Sequence, residues 1–367
     1  MVQQLGGIKV GQRAYLILEN GKVFQGFSFG ADQDVIGEVV FTTGMTGYLE
    51  TLTDKSYYGQ IITQTFPLIG NYGVIPSDFE APTVSAKGYI VKHWCQEPSN
   101  FRNEGTLDIF LKQQHITGLY GIDTRELTKI LREQGTMNGL ITTNLQRVDM
   151  EKIKSYQVEE AVESVSVKEE VVVNPDGRFS VVLLDFGYKE NILRELVKRN
   201  CKVWILPYNT GPERIKELNP DGIMLSNGPG DPAKNIQVIE HLKEITKLGI
   251  PMFGICLGHQ LLALSFGFRT EKLKYGHRGA NQPAKDLFTG RTYITSQNHG
   301  YAVSISSIDE AKAQLWFVNV NDSTCEGLKY RHAPIFSVQF HPEGCGGPQD
   351  TGYLFDEFLK EVHTYAA

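Results

Sequence analysis

A chain of 367 residues is longer than a single hydrophobic core usually supports, so two domains are expected, each large enough to bury a core of its own. Apolar, charged and glycine contents are ordinary for a soluble globular protein, and no apolar run is long enough to cross a bilayer, so a soluble chain is expected. A net charge of -6 without basic clusters or aromatic ladders gives nucleic acid nothing to hold.

The first segment alternates short β-like runs with turns. YLILE, the pair Asn20-Gly21 and KVFQGFSF together carry a strong hairpin signal. Strand-like GEVVFTT, QIITQTF and KGYIVKHW follow. A helix is then expected from Asp123, which has capping-box spacing to Glu126, with Leu127, Ile130 and Leu131 as its apolar stripe and Gly135 at its C-terminus. LITTN supplies one more strand, so residues 1–156 are expected to form an α+β domain. Between 157 and 178 the chain is rich in Glu, Val and Lys without a clear period and closes on the turn Asn174-Pro175-Asp176-Gly177, which places the linker there.

From 179 to 367 buried-strand runs (SVVLLDF, KVWILPY, GIMLS, PMFGI) alternate with helical stretches such as KENILRELVKRN and IQVIEHLKEITKLG. This βαβ pattern predicts an open, mostly parallel, doubly wound α/β sheet, with its site in the loops at the C-terminal ends of the strands.

Five scattered cysteines, an odd number, speak for free thiols. The N-terminal MVQQLGGIKVGQR lacks the basic start and apolar region of a secretory leader, so a cytoplasmic location is expected. One cysteine stands apart. Cys256 lies in Gly254-Ile255-Cys256-Leu257-Gly258-His259-Gln260, between the strand IPMFGI and the helix LGHQLLALSFG, as a nucleophile elbow requires. The helix N-terminus favours thiolate there, and the next backbone N–H, that of Leu257, is placed to bind an oxyanion. Cys95, Cys201 and Cys325 lack this context and are expected to be structural.

A thiol nucleophile needs a base. The strand PIFSVQF ends in His341-Pro342-Glu343, where His341 can take and return the proton while Glu343 orients the ring. A rigid loop, Leu225-Ser226-Asn227-Gly228-Pro229-Gly230-Asp231-Pro232, follows the strand GIMLS, and Gly230 is the candidate for the second oxyanion donor. With no Walker pair and no G-x-G-x-x-G near a suitable strand, nucleotide binding is not indicated. His259, His277, His299 and His341 lack paired ligand spacing, so no metal site is expected.

GICLGHQ, SNGPGDP, QNHGY and FHPEG together resemble the glutaminase domain of class I glutamine amidotransferases. GEVVFTTGMTGYLETLTDKSYYGQ, FPLIGNYG, SNFRNEGTL and GIDTRELTKILREQG resemble the small-subunit family of carbamoyl-phosphate synthetases, and the likeness spans nearly the whole chain. The resemblance implies hydrolysis of L-glutamine to glutamate and ammonia. The ammonia would pass to a large subunit making carbamoyl phosphate for arginine or pyrimidine synthesis, in a heterodimer or a higher assembly of heterodimers. ATP and divalent metal are expected only on that large subunit, with no cofactor in this chain.

The resemblance also implies glutamine contacts at Ser56, Gly228, Gly230, Leu257, Gln260, Asn298, Gly300 and Tyr301, where Tyr301 replaces a residue that is often Phe. A part for Ser56 requires the first domain to pack against the mouth of the elbow site. His299 is left outside the triad, and Cys345 is taken as a filler. Two other readings stay open at this point: a stand-alone thiol amidohydrolase or peptidase on the same scaffold, and a non-catalytic structural subunit.

Overall fold

The computed structural model describes residues 4–5, 8–9 and 11–366, so part of the N-terminal run examined for a leader lies outside the described residues. The chain divides into two compact units, 1–159 and 160–367.

The first unit begins with a short antiparallel pair, β1 (Gln4–Leu5) and β2 (Ile8–Lys9). A seven-stranded closed barrel follows, made of β3 (Arg13–Leu18), β4 (Val23–Gly30), β5 (Val35–Thr42), β6 (Gln60–Gln64), β8 (Gly88–Val91), β10 (Thr117–Tyr120) and β11 (Met137–Thr142). A parallel pair of two residues each, β7 (Leu68–Ile69) and β9 (His93–Trp94), lies outside it. The Asn20-Gly21 signal delivers its hairpin: β3 and β4 pair antiparallel with Ile17 opposite Val23.

Local pairing does not continue round the barrel. β11 sits between β3 and β5, and the ring closes where β10 joins β4 on one side and β8 on the other. The expected α+β character is thus organised by a closed sheet, which leaves no unpaired strand edge. Helices α1 (Tyr48–Thr53) and α2 (Leu107–Gln113) bury Tyr48, Leu49, Leu52, Leu107, Phe110 and Leu111 against Val40, Ile62 and Tyr89. Helix α3 (Thr124–Gln134) starts as expected, with Asp123 Oδ1 accepting the Glu126 N–H at 2.9 Å. The reciprocal half of the box is absent, because Glu126 pairs with Lys22 at 2.7 Å. Helix α4 (Met150–Ser155) buries Ile153 against Ile17 and Leu140.

In the second unit, α5 (Ala161–Val165) and β12 (Val171–Val173) occupy the stretch expected to be linker, and β12 pairs with β14 at one edge of the sheet. Its Val-rich run pairs along its whole length with β14, Val171 opposite Ile205 and Val173 opposite Val203, so the turn at Asn174 to Gly177 marks a chain reversal within the unit. The sheet has ten strands in the order β12-β14-β13-β15-β16-β21-β20-β19-β17-β18. The five central ones, β13 (Phe179–Asp185), β14 (Cys201–Pro207), β15 (Gly222–Leu225), β16 (Met252–Ile255) and β21 (Ile335–Val338), are parallel.

β17 (Thr270–Asp286), β18 (Thr292–Val303), β19 (Ala313–Asn319) and β20 (Cys325–Tyr330) extend the sheet antiparallel. The expectation of a mostly parallel sheet is corrected to a mixed one. The antiparallel half escapes the sequence pattern because its long strands carry polar residues on both faces, while the parallel strands are continuous apolar runs.

Alternate residues of the central strands feed two separate cores. Val182, Leu184, Ile223, Leu225 and Met252 pack with α7 (Pro212–Leu218), α8 (Ile236–Ile245) and α9 (Leu257–Ser265). Val181, Leu183, Met224, Phe253 and Ile255 pack with α6 (Glu190–Lys198) and α10 (Tyr353–Ala366). Strand periodicity of two thus gives the sheet an apolar surface on each face.

Candidate active site

β16 and β21 are parallel neighbours with Ile255 opposite Val338, so Cys256 and the segment 339–343 leave the sheet side by side. The Cys256 N–H donates to the Val338 carbonyl at 2.9 Å. Cys256 is buried and caps α9 with φ 53° and ψ -102°, a backbone conformation that a residue with a Cβ adopts only under constraint.

The constraint is visible in the flanking glycines. A Cβ at Gly254 would stand 2.9 Å from the Gly258 backbone, and one at Gly258 would stand 2.5 Å from the Leu225 carbonyl. Strand, elbow and helix therefore meet with no room for side chains, which holds the thiol at the N-terminus of α9. The Cys256 Sγ lies 3.7 Å from the Asn298 carbonyl on β18.

His341 bridges to Ser296 on β18, donating its N–H to the Ser296 carbonyl at 2.9 Å. Its Nδ1 is 2.6 Å from Glu343 Oε1, and neither side chain is exposed. Burial alone would push the Glu343 carboxyl up. The charge and hydrogen bond of His341, joined by the Lys189 ammonium 3.8 Å away, outweigh burial and bring it below the usual range.

A carboxylate on Nδ1 fixes the tautomer, so that Nε2 carries the lone pair a general base needs. Among the described residues nothing hydrogen-bonds to His341 Nε2, although it is buried. Lys189 was not singled out from the sequence. Its place after β13, at the C-terminal end of a central parallel strand, was the available signal.

The Gly230 loop is fixed from below. Ser226 Oγ accepts from the Phe186 N–H at 2.9 Å, and Asn227 bridges Lys189 N and the Gly187 carbonyl. A side chain at Gly228 would meet Leu257 Cδ2 at 2.8 Å, so the loop lies directly against the elbow. Gln260 donates through Nε2 to the Tyr301 carbonyl at 2.7 Å and to Gln339 at 2.9 Å, tying α9 to the segment carrying Asn298, Gly300 and Tyr301.

The fold thus brings Gly228, Leu257, Gln260, Asn298 and Tyr301 around Cys256, with Gly230 in the same loop as Gly228 and Gly300 between Asn298 and Tyr301. Ser56 belongs to the other unit, where it is buried in a 3-10 turn and its N–H donates to Asp54 Oδ1 at 2.9 Å. Cys345 is exposed and accepts from Asn191 Nδ2 at 3.0 Å, so it fills no core. Cys201 and Cys325 are buried, and burial raises both thiols, the former to about 12.

Donor atoms of His277, His299 and Glu326 lie within 4.8 Å of one another. They are engaged with Gln297, Asn319 and the Tyr301 carbonyl, which makes the group a hydrogen-bonded network.

Comparison with known proteins agrees with both halves of this picture. Residues 182–361 match the sequence profile of the class-I glutamine amidotransferases, which defines the class of the elbow-bearing unit. Residues 16–141 match the CPSase domain profile of the carbamoyl-phosphate synthase small chain. The carbamoyl phosphate synthase small chain of Clostridium perfringens is 51% identical over 95% of this chain and 99% of its own length. Those of Fusobacterium nucleatum, at 51% over 95% and 97%, and of Oceanobacillus iheyensis, at 50% over 95% and 95%, are similar to the same extent. The chain belongs to the family of carbamoyl phosphate synthase small chains.

Proposed function

We propose that the chain is the glutamine-hydrolysing subunit of a carbamoyl phosphate synthase, with Cys256, His341 and Glu343 as its catalytic residues. The observation that carries the assignment is the pairing of a strained, buried cysteine on one central strand with a buried His-carboxylate couple on the next. Cys256 thiolate attacks the side-chain amide carbon of L-glutamine. The resulting oxyanion is held by the N–H groups of Gly230 and Leu257.

Protonation of the amide nitrogen by His341 breaks the C–N bond and expels ammonia, leaving a glutamyl thioester. His341 then removes a proton from water, hydroxide displaces the thiolate, and glutamate leaves. Glu343 stabilises the imidazolium formed in each half.

The fine arrangement goes with this reading: a doubly wound sheet supported by the two helix-lined cores, and glutamine contacts at Gly228, Gly230, Leu257, Gln260, Asn298, Gly300 and Tyr301. Ser56→Ala reads that residue's part directly, since a raised KM with kcat retained assigns it to substrate binding. The partner is the large chain of the synthase, in a heterodimer or an assembly of heterodimers, and the ammonia is delivered to it for carbamoyl phosphate synthesis serving arginine or pyrimidine production in the cytoplasm. ATP and divalent metal act on that partner.

The CPSase-type N-terminal unit argues against a stand-alone hydrolase or peptidase, and the complete triad argues against a purely structural subunit. Glutamate release from glutamine by wild type and Cys256→Ser, each alone and with the large chain, tests the whole. Slow release that the partner accelerates and the substitution abolishes is expected. Release that survives in Cys256→Ser would remove the nucleophile assignment.

A further inference from the structure

A polar network runs through the antiparallel strands next to Asn298. It comprises His277 on β17, Gln297 and His299 on β18, Glu326 on β20 and Asp322 in the turn before it. His277 and His299 are cross-strand partners with ring centroids 5.0 Å apart. Counting donors and acceptors fixes most of the protons.

Gln297 Nε2 donates to Glu326 Oε2 at 2.9 Å and to Thr295 Oγ1 at 3.1 Å. The Thr295 hydroxyl gives its own hydrogen to the Gln282 carbonyl. The carboxylate only accepts, so the amide cannot be turned round, and Gln297 Oε1 faces both imidazoles, His277 Nδ1 at 3.1 Å and His299 Nε2 at 3.0 Å.

His277 Nε2 is 2.8 Å from Asp322 Oδ2 and its Nδ1 lies 3.6 Å from Glu326 Oε1, so two carboxylates face the ring and favour the imidazolium. Burial works against that charge, but Asp322 and Glu326 outweigh burial and push the group up to about 9. Asp322, raised by burial and lowered more by His277 and Thr324, falls to about 2. His299 also meets acceptors at both nitrogens, Gln297 Oε1 and the Tyr301 carbonyl, the latter at 2.8 Å. Burial, and the neighbouring His277, Arg278 and His341, keep it neutral. It therefore holds one proton for two acceptors.

We propose that His277 is a positioning residue for the substrate site. By donating to Gln297 it satisfies that amide oxygen and reserves the single proton of His299 for the carbonyl of Tyr301. That carbonyl then has two donors, His299 Nδ1 and Gln260 Nε2, and the segment Asn298 to Tyr301 is pinned beside Cys256. When His277 loses its Nδ1 proton, Gln297 takes the His299 proton instead. Tyr301 then faces a lone pair at Nδ1, and the segment loosens. The inference rests on the glutaminase reading of this site.

The test measures KM and kcat for glutamine between pH 7 and 10 in the full chain bound to its large-chain partner, for wild type and Asp322→Asn, with melting curves to establish that the variant folds. In wild type, KM rises about three- to tenfold on a limb near pH 9, the worth of one hydrogen bond, while kcat changes less. Asp322→Asn moves the limb to lower pH, because the imidazolium loses its counter-charge.

Nitrogen chemical shifts of the imidazoles in the full chain give a readout independent of turnover. His277 is doubly protonated to about pH 9, and His299 carries its proton on Nδ1 at pH 7. A flat KM through pH 10, a limb that Asp322→Asn leaves in place, or a His299 proton on Nε2 at pH 7 overturns the relay. If wild type releases no glutamate at all, it is the glutaminase reading that fails, and the nitrogen shifts still decide the relay.

Discussion

Glu343 has no exposed side-chain surface, so its charge must be met from within, by the hydrogen bond of His341 Nδ1 and the Lys189 ammonium. Glu343→Gln keeps the shape and removes the anion. It is expected to lower kcat by roughly two to four orders of magnitude with a smaller change in KM, read from glutamate release in the assembled complex. The same charge has a consequence for stability. The folded carboxyl titrates below its ordinary value of 4.5, so its stabilising contribution is full above that pH and fades as pH falls through the lower, folded value. Melting temperatures measured from pH 7 down to pH 3 should therefore fall less steeply in Glu343→Gln than in wild type. An unchanged slope would mean that the carboxylate is no better stabilised folded than unfolded.

The elbow depends on elements touching where side chains are missing. Gly258→Ala drives a Cβ to 2.5 Å from the Leu225 carbonyl, a backbone atom that cannot swing aside, and should destabilise the C-terminal unit by about 1–3 kcal/mol or more, measured by denaturant unfolding. Asp123→Ala, far from the chemistry, removes only the α3 cap and should cost about 1 kcal/mol without altering glutamine turnover.

These two elements were legible in the sequence because their causes are local: a cap three residues from its donor, and glycines flanking a cysteine between strand and helix. The barrel was not legible, since β11 must find β3 across more than a hundred residues and no spacing records that pairing. Lys189 and the His277 network were missed for a related reason. Lysine and histidine acquire meaning only from the carboxylates that the folded sheet sets beside them. The linker reading failed at β12, where a Val-rich run between charged residues is an edge strand.

At the scale of the whole molecule, a complex that has lost the thiol should keep what the partner does alone. Cys256→Ser in the assembled synthase is expected to abolish glutamine-dependent carbamoyl phosphate synthesis while leaving most of the synthesis from added ammonia. Loss of both would mean that the cysteine supports assembly as well as hydrolysis. The closed barrel has a further consequence, for how the chain is made. Its last strand ends at Thr142, and β12, the first strand of the ten-stranded sheet, starts only at Val171, so every strand of the ring is made before that sheet is begun. The nascent N-terminal unit can therefore finish folding and hide its strand edges on the ribosome before the nucleophile-bearing sheet has emerged.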